Sequence, residues 1–317
     1  MNLHPTDEQA MLADSIDRFA RDHAGAPPDA LMAGMAGLGL LTLPVPEAAG
    51  GMEGDGFDLM GMMQAVGRAL LPVPLAGTVA ALDLLGHHGT PAQQARWLHP
   101  AMERGARLAF ARLDGAAGDR LTGIAPLVPG ADSADALVLV VGGGAVIVPT
   151  DAPGVQRTPL RMADGVMGAR VTLSDAVAEP LATTPDQVTD SLARTTAALA
   201  AQRLGVMDRL LADTTDYVKT RQQFGVAIGS FQTIQHRMAR LFTETELCRS
   251  LVLAAADRQA PRAEWLHRVA AAQALTAEQG LHLAQECVQF HGGMGITDDL
   301  AVSRGHRQMM VMARMRP

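Results

Sequence analysis

Along the first part of the chain the apolar positions follow a helical period. In TDEQAMLADSIDRFARDH, Met11, Leu12, Ile16 and Phe19 recur on one face and predict an amphipathic helix. Thr6 stands ahead of that run with Gln9 three residues later, the capping-box arrangement that satisfies the first free amides. Pro27 and Pro28 end the element. A short apolar helix is expected at about 29–39, then a Pro- and Gly-rich loop in LTLPVPEAAGGMEGDG. Further helices are expected at about 57–70, 75–86 and 91–103.

After Gly105 the texture changes. RLAFARL, DALVLVV, GAVIVPT and ARVTLSD are short runs rich in strand formers, separated by Gly, Pro and Asp. AVAEPLATTPDQ leads back into helical spacing, with long elements expected at 187–219, 230–257, 262–289 and 300–314. The pattern therefore predicts a mostly α protein with a small central β domain. Its parts are an N-terminal helical domain (1–104), a middle β domain (105–182) and a C-terminal four-helix bundle (183–317). Helices this long need a broad apolar face covered, by the N-terminal helices or by another subunit.

Composition narrows the function classes. Of 317 residues, 48% are hydrophobic and 19% charged, which suits a packed core rather than a disordered chain. The formal net charge of −7 supplies no concentrated positive face, so nucleic acid is not an expected partner. The N-terminus shows no basic region leading into an apolar run, and no uninterrupted apolar stretch is long enough for a bilayer. A cytoplasmic protein without a membrane partner is the expectation. Cys248 and Cys287 lie in apolar helical segments without ligand company, so buried free thiols are expected and no metal site.

Two stretches carry candidate chemistry. In YVKTRQQFGVAIGSFQTIQHRMARL a helix is expected to end near Lys219, and Ser230 to cap the next one. Arg221 offers a guanidinium fork suited to phosphate oxygens, Gln223 adds an amide, and Gly225 removes a side chain. The alternative is that Arg221 pairs with a surface carboxylate while Phe224 anchors the loop. In QFHGGMG, Gln289 is expected to end a helix, and Gly292–Gly293 can turn backbone donors toward an acceptor. The alternative is a helix-terminating turn packed on the bundle, with His291 a packed histidine. Neither loop matches a Walker sequence or a strand-to-helix dinucleotide fingerprint.

Together, Y-V-K-x-R-x-Q-F-G, a helix opening on F-Q-x-I-Q-H, and the late Q-x-H-G-G-x-G resemble the acyl-CoA dehydrogenase family. The helix–sheet–helix order and the opening TDEQAMLADSIDRFA are also similar, so the likeness covers nearly the whole chain. The resemblance implies FAD, with part of its dinucleotide tail held by a neighbouring subunit. It also implies that Arg221 meets the FAD pyrophosphate from across the interface, with Gln223 and Phe224 near the adenosine half. Gln232 would stand beside that site, and Gln289, Gly292 and Gly293 would form the late loop toward the diphosphate or adenine.

The sequence departs from the family at the base. The carboxylate that removes the acyl α-proton falls in most members at the position of Arg316, and in a second subgroup near Thr195. An arginine stays charged and cannot take that proton, so no catalytic residue is assigned. The family's T-E-P-x-x-G-S-D stretch survives only as RLDGAAGDR, with Asp114 and Asp119 as remnants. The resemblance then implies a short subunit of a heteromeric acyl-CoA dehydrogenase, of the kind found in sterol-side-chain and dicarboxylic acyl-CoA degradation. A larger homologue would supply the base in a heterotetramer acting on an acyl-CoA, with electrons passed to an acceptor protein. Two alternatives stay open. One is a self-sufficient FAD dehydrogenase or oxidase using Glu244, Glu246, Asp298 or Asp299; the other is a non-catalytic or non-redox protein of this fold.

Overall fold

The computed structural model describes residues 6–104 and 106–315, without the side chain of Arg104; Arg316 lies outside the described residues. The N-terminal helices are α1 (Asp7–Asp22), α2 (Pro28–Gly37), α3 (Gly56–Arg68), α4 (Leu75–His88), α5 (Pro91–Gln93) and α6 (His99–Arg104). A π-helical turn at Gln94–Leu98 joins the last two. The predicted capping box is present: Gln9 N donates to Thr6 Oγ1 at 3.2 Å and Thr6 N to Gln9 Oε1 at 3.1 Å. Ile16 and Phe19 are buried as expected, whereas Met11 points to solvent.

The middle region has two small sheets built from β1 (Leu108–Leu113), β2 (Arg120–Pro129), β3 (Ala136–Val141), β4 (Gly144–Pro149), β5 (Val155–Arg161), β6 (Met167–Val177) and β7 (Glu179–Pro180). One sheet has the order β1-β3-β4-β7, with β1 and β3 parallel and the other pairs antiparallel; the second is β2-β6-β5, antiparallel throughout. Leu137, Leu139, Val146 and Val148 of the first sheet share one core with Leu121, Val128, Val171 and Leu173 of the second. Strand β3 is buried on both faces, and α4 covers the far side, where Thr78 Oγ1 donates to Leu108 O. Strands β2 and β5 were not expected from the pattern, because Gly123, Pro126, Pro129 and Pro159 interrupt it. Both are edge strands of their sheet, where a proline forfeits no ladder bond, and β2 absorbs its irregular residues in two register shifts.

The C-terminal helical bundle comprises α7 (Pro185–Thr220), α8 (Gln232–Ala256), α9 (Arg262–His291) and α10 (Ala301–Met312), with a hairpin β8 (Gln222–Gln223), β9 (Val226–Ala227) between α7 and α8. The 36 residues of α7 span about 54 Å at 1.5 Å per residue. The molecule is thus an N-terminal helical domain, a central mixed β domain and a C-terminal bundle. By contacts it forms two compact units: residues 23–59 with 72–195, and residues 1–22 with 60–71 and 196–316. Within the second unit α3 and α7 touch backbone to backbone. A Cβ on Gly67 would lie 2.0 Å from Gln202 O and one on Gly205 1.9 Å from Gln64 O, so only glycines permit the crossing. Among the described residues no helix is long and apolar enough to cross a membrane.

Arg203, on α7, is fully buried, with no acidic partner among the described residues. Its guanidinium donates to Gln273 Oε1 at 2.6 Å, to Met315 O at 3.2 Å and to Met312 O. Gln273 Nε2 adds a bond to Met315 O at 3.1 Å. The pair pins the chain where α10 ends, immediately before position 316. The spacing of apolar residues along α7 contains no sign of this clamp.

Candidate functional site

Helix α7 ends one residue beyond the expected Lys219, and the chain turns back at once through the β8–β9 hairpin. Gln222 pairs with Ala227 and Gln223 with Val226. The two turn residues, Phe224 and Gly225, have φ of 56° and 81°, the left-handed pair that a two-residue hairpin loop requires. For Phe224 that conformation costs on the order of 1 kcal/mol. Its ring is 93% exposed and meets only the edge of Phe231, 6.2 Å away. Phe224 therefore does not anchor the loop.

Arg221 is held by its backbone: its N donates to Tyr217 O and its O accepts from Ile228 N, each at 2.8 Å. Its side chain is exposed and has no carboxylate partner among the described residues. The alternative of a surface ion pair is not realised. Gln223 and Gln232 are exposed as well, and the Gln223 amide donates only to its neighbour Gln222 O at 2.7 Å. The expected Ser230 cap is absent, since that hydroxyl donates backward to Ala227 O at 2.7 Å and Phe231 takes the cap position.

At the second stretch α9 runs on past Gln289 to His291. Gln289 is exposed, and its carbonyl accepts from Gly292 N. Gly292 has φ 60° and ψ −143°, a conformation that side chains disfavour. A Cβ at Gly292 or Gly293 would meet nothing within 4 Å, so this backbone is open to a ligand; at Gly295 it would lie 2.6 Å from Val288 O. Only the third glycine of the cluster serves close packing. His291 is a packed histidine. Its Nδ1 lies 2.8 Å from Cys287 O, which can only accept, and its ring stacks on Tyr217 at 4.1 Å and 24°. That stack joins the two stretches, which no local pattern foretold.

No free carboxylate emerges from most of the candidates. Thr195 is buried, its hydroxyl back-bonded to Ser191 O at 3.1 Å. Glu244 pairs with Arg240 and His282, Glu246 with Arg249, and Asp298 with Arg307. Asp114, Asp119 and Asp299 are exposed. Burial pushes the Cys248 and Cys287 thiols up to about 12, which leaves them protonated and unreactive. Among the described residues no group of three or more His, Cys, Asp or Glu is placed to hold a metal.

Beside the hairpin, residues of α7 and α8 line a groove of about 800 Å³, among them Leu211, Val218, Ile234, Met238 and Phe242. Large apolar side chains of the bundle lie in solvent: Phe242 is 57% exposed, Leu247 56%, Met294 48% and Ile296 75%.

Comparison with known proteins bears on these features. The acyl-CoA dehydrogenase N-terminal domain matches residues 6–104 and the acyl-CoA dehydrogenase C-terminal domain residues 185–315. Acyl-CoA dehydrogenase IpdE2 of Mycobacterium tuberculosis is 31% identical, over 93% of this chain and 88% of its own. Acyl-CoA dehydrogenase FadE34 of the same organism is 32% identical over 84% of this chain, which matches only 37% of its length. Among solved structures, a variant of the Tcur3481-Tcur3483 steroid ACAD superposes with a TM-score of 0.85 at 27% identity, covering 97% of this chain and 93% of that one. This chain belongs to the acyl-CoA dehydrogenase family.

Proposed function

We propose that this chain is one subunit of a heteromeric, FAD-dependent acyl-CoA dehydrogenase. It holds the dinucleotide tail of FAD, and a larger homologous subunit brings the base. The observation that carries the reading is the exposed Arg221 guanidinium, unpaired among the described residues, on the same end of the bundle as the open Gly292–Gly293 backbone. A diphosphate needs a fork of charged donors and close backbone amides, and the residues present fit it. Gln223 and Gln232 add uncharged donors, Gln289 flanks the glycines, and Phe224 offers a bare aromatic face for adenine.

FAD supplies the hydride acceptor for α,β-desaturation of an acyl thioester. The α-proton must pass to a carboxylate poised near the thioester. Thr195 cannot take it, and the residue at the family's other base position is Arg316. A base on a second polypeptide resolves both departures. Support for that partner comes from the exposed apolar side chains Phe242, Leu247, Met294 and Ile296 of the bundle, since exposed apolar surface of this kind marks interfaces. The Tcur3481-Tcur3483 steroid ACAD bears a two-protein name, and FadE34 carries this chain's counterpart within a much longer polypeptide. The division at 1–104, 105–182 and 183–317, an acyl-CoA substrate, an electron-transfer acceptor and a cytoplasmic setting go with this reading.

The test is to recover the tagged chain from its own host and measure the mass and flavin content of what comes with it. The reading expects a yellow complex with a larger homologue, and a chain that is pale and inactive with acyl-CoA when made alone. A yellow homo-oligomer that oxidises acyl-CoA unaided would refute it.

A further inference from the structure

We infer that Tyr217 and His291 are positioning residues: their ring stack sets the spacing between Arg221 and the Gly292–Gly293 backbone, so that one diphosphate meets both. The inference rests on the reading of these loops as the holder of the FAD tail. The rings lie 4.1 Å apart and 24° from parallel, an attractive arrangement for two flat side chains. Each ring sits next to one half of the candidate grip. Tyr217 is four residues ahead of Arg221, which lies just past the end of α7, and its carbonyl accepts the Arg221 amide at 2.8 Å. His291 is the residue before Gly292.

The stack is anchored at both ends. His291 is only 7% exposed, and its Nδ1–H donates to Cys287 O at 2.8 Å. Cys287 Sγ lies 3.6 Å from Leu210 O, which ties the same turn of α9 to α7 two turns before Tyr217. Beyond His291 the chain continues as a short 3-10 helix, Gly292–Ile296, that packs on α9 at Gly295 but leaves its first two residues open. Gly292 turns the chain through a conformation favoured by glycine alone, and no atom lies within 4 Å of a side-chain position at Gly292 or Gly293. The Gly292 amide is already spent on Gln289 O, so the donor left for a ligand is that of Gly293; its direction is inherited from His291, which the ring of Tyr217 keeps in place. Donors fixed before a ligand arrives spare it the cost of ordering them, which is gained as affinity.

The test uses the complex recovered with the tagged chain, stripped of flavin and titrated with FAD and with ADP, which carries the adenosine and diphosphate alone. Tyr217→Leu keeps the bulk but loses the ring. It should weaken both ligands about three- to tenfold, the worth of one aromatic pair. Tyr217→Phe retains the stack and should bind both ligands as the wild type does. A packing role alone would lower the unfolding midpoint without changing ADP affinity in samples that remain fully folded. Wild-type binding by Tyr217→Leu, or equal losses in the Phe and Leu variants, would overturn the inference. Arg221→Ala measured alongside separates the two ideas. If it alone weakens binding, the tail-holding role stands and the stack has no part; if neither change weakens binding, both fall.

Discussion

Replacing Arg203 with Met removes the buried clamp on the end of α10 while keeping most of the side-chain volume. The guanidinium serves three acceptors, Met312 O, Met315 O and Gln273 Oε1. Hydrogen bonds from a charged donor contribute about 1.5–3 kcal/mol each, so roughly 5–9 kcal/mol of interaction is lost. Against this stands the desolvation that pushes the Arg203 pKa down to about 10, whose removal returns ~3 kcal/mol. Met312 O keeps the Met315 amide and Met315 O keeps Gln273 Nε2, which trims the loss further. The net expectation is a destabilisation of about 2–4 kcal/mol, or a fall in Tm of roughly 3–6 °C. Arg203→Lys should recover less than half of that, because one ammonium cannot span three acceptors. Urea unfolding gives the magnitude, and hydrogen exchange gives its place, with faster exchange at residues 313–315. A loss below about 0.5 kcal/mol would refute the reasoning and make the clamp an incidental packing arrangement.

Three more outcomes follow from the same structure. Asp83→Asn strips the charge from a buried pair in which Arg194 Nε and Asp83 Oδ1 lie 2.5 Å apart; thermal unfolding should show a loss of about 3–5 kcal/mol, and a neutral result would argue against a paired charge. Burial, reinforced by the His87 and Arg194 charges and opposed by Asp83, lowers the His88 pKa, and burial with Arg307 lowers that of His306. The fold thus favours the neutral rings, so their contribution is present above the ordinary histidine range and is lost as pH falls through it. The urea midpoint should drop between about pH 7.5 and 5.5, and His88→Leu should flatten the change. Phe224→Ser removes an exposed ring, so stability should be unchanged while FAD retention in the complex falls about tenfold, read from flavin absorbance after gel filtration.

Much of the helical frame was legible, because long amphipathic runs and the Thr6–Gln9 box are local signals. Helix ends were placed within about two residues for most of the bundle. What escaped was non-local or broke a local rule. Strands β2 and β5 hid behind Pro126 and Pro159, which the sheet tolerates only because both strands lie on its edges. The β8–β9 hairpin gives no strand signal between the two helices, since Phe224 occupies a left-handed position that Asn or Asp usually takes. At the candidate site the residue types were readable from spacing and resemblance. Their environment was not: neither the lack of a carboxylate for Arg221 among the described residues nor the exposure of Phe224 follows from the sequence. The Tyr217–His291 stack and the Arg203 clamp join residues from different helices, and tertiary packing alone creates them.

The central claim is that this chain grips the phosphate-bearing tail of a flavin shared between two polypeptides. Photolabelling of the recovered complex with an azidoadenine analogue of FAD, followed by peptide mapping, tests it most directly. The account predicts label on the segments around Arg221–Gln232 or Gln289–Gly293 of this chain, lost on competition with FAD. Label confined to the larger subunit would contradict it.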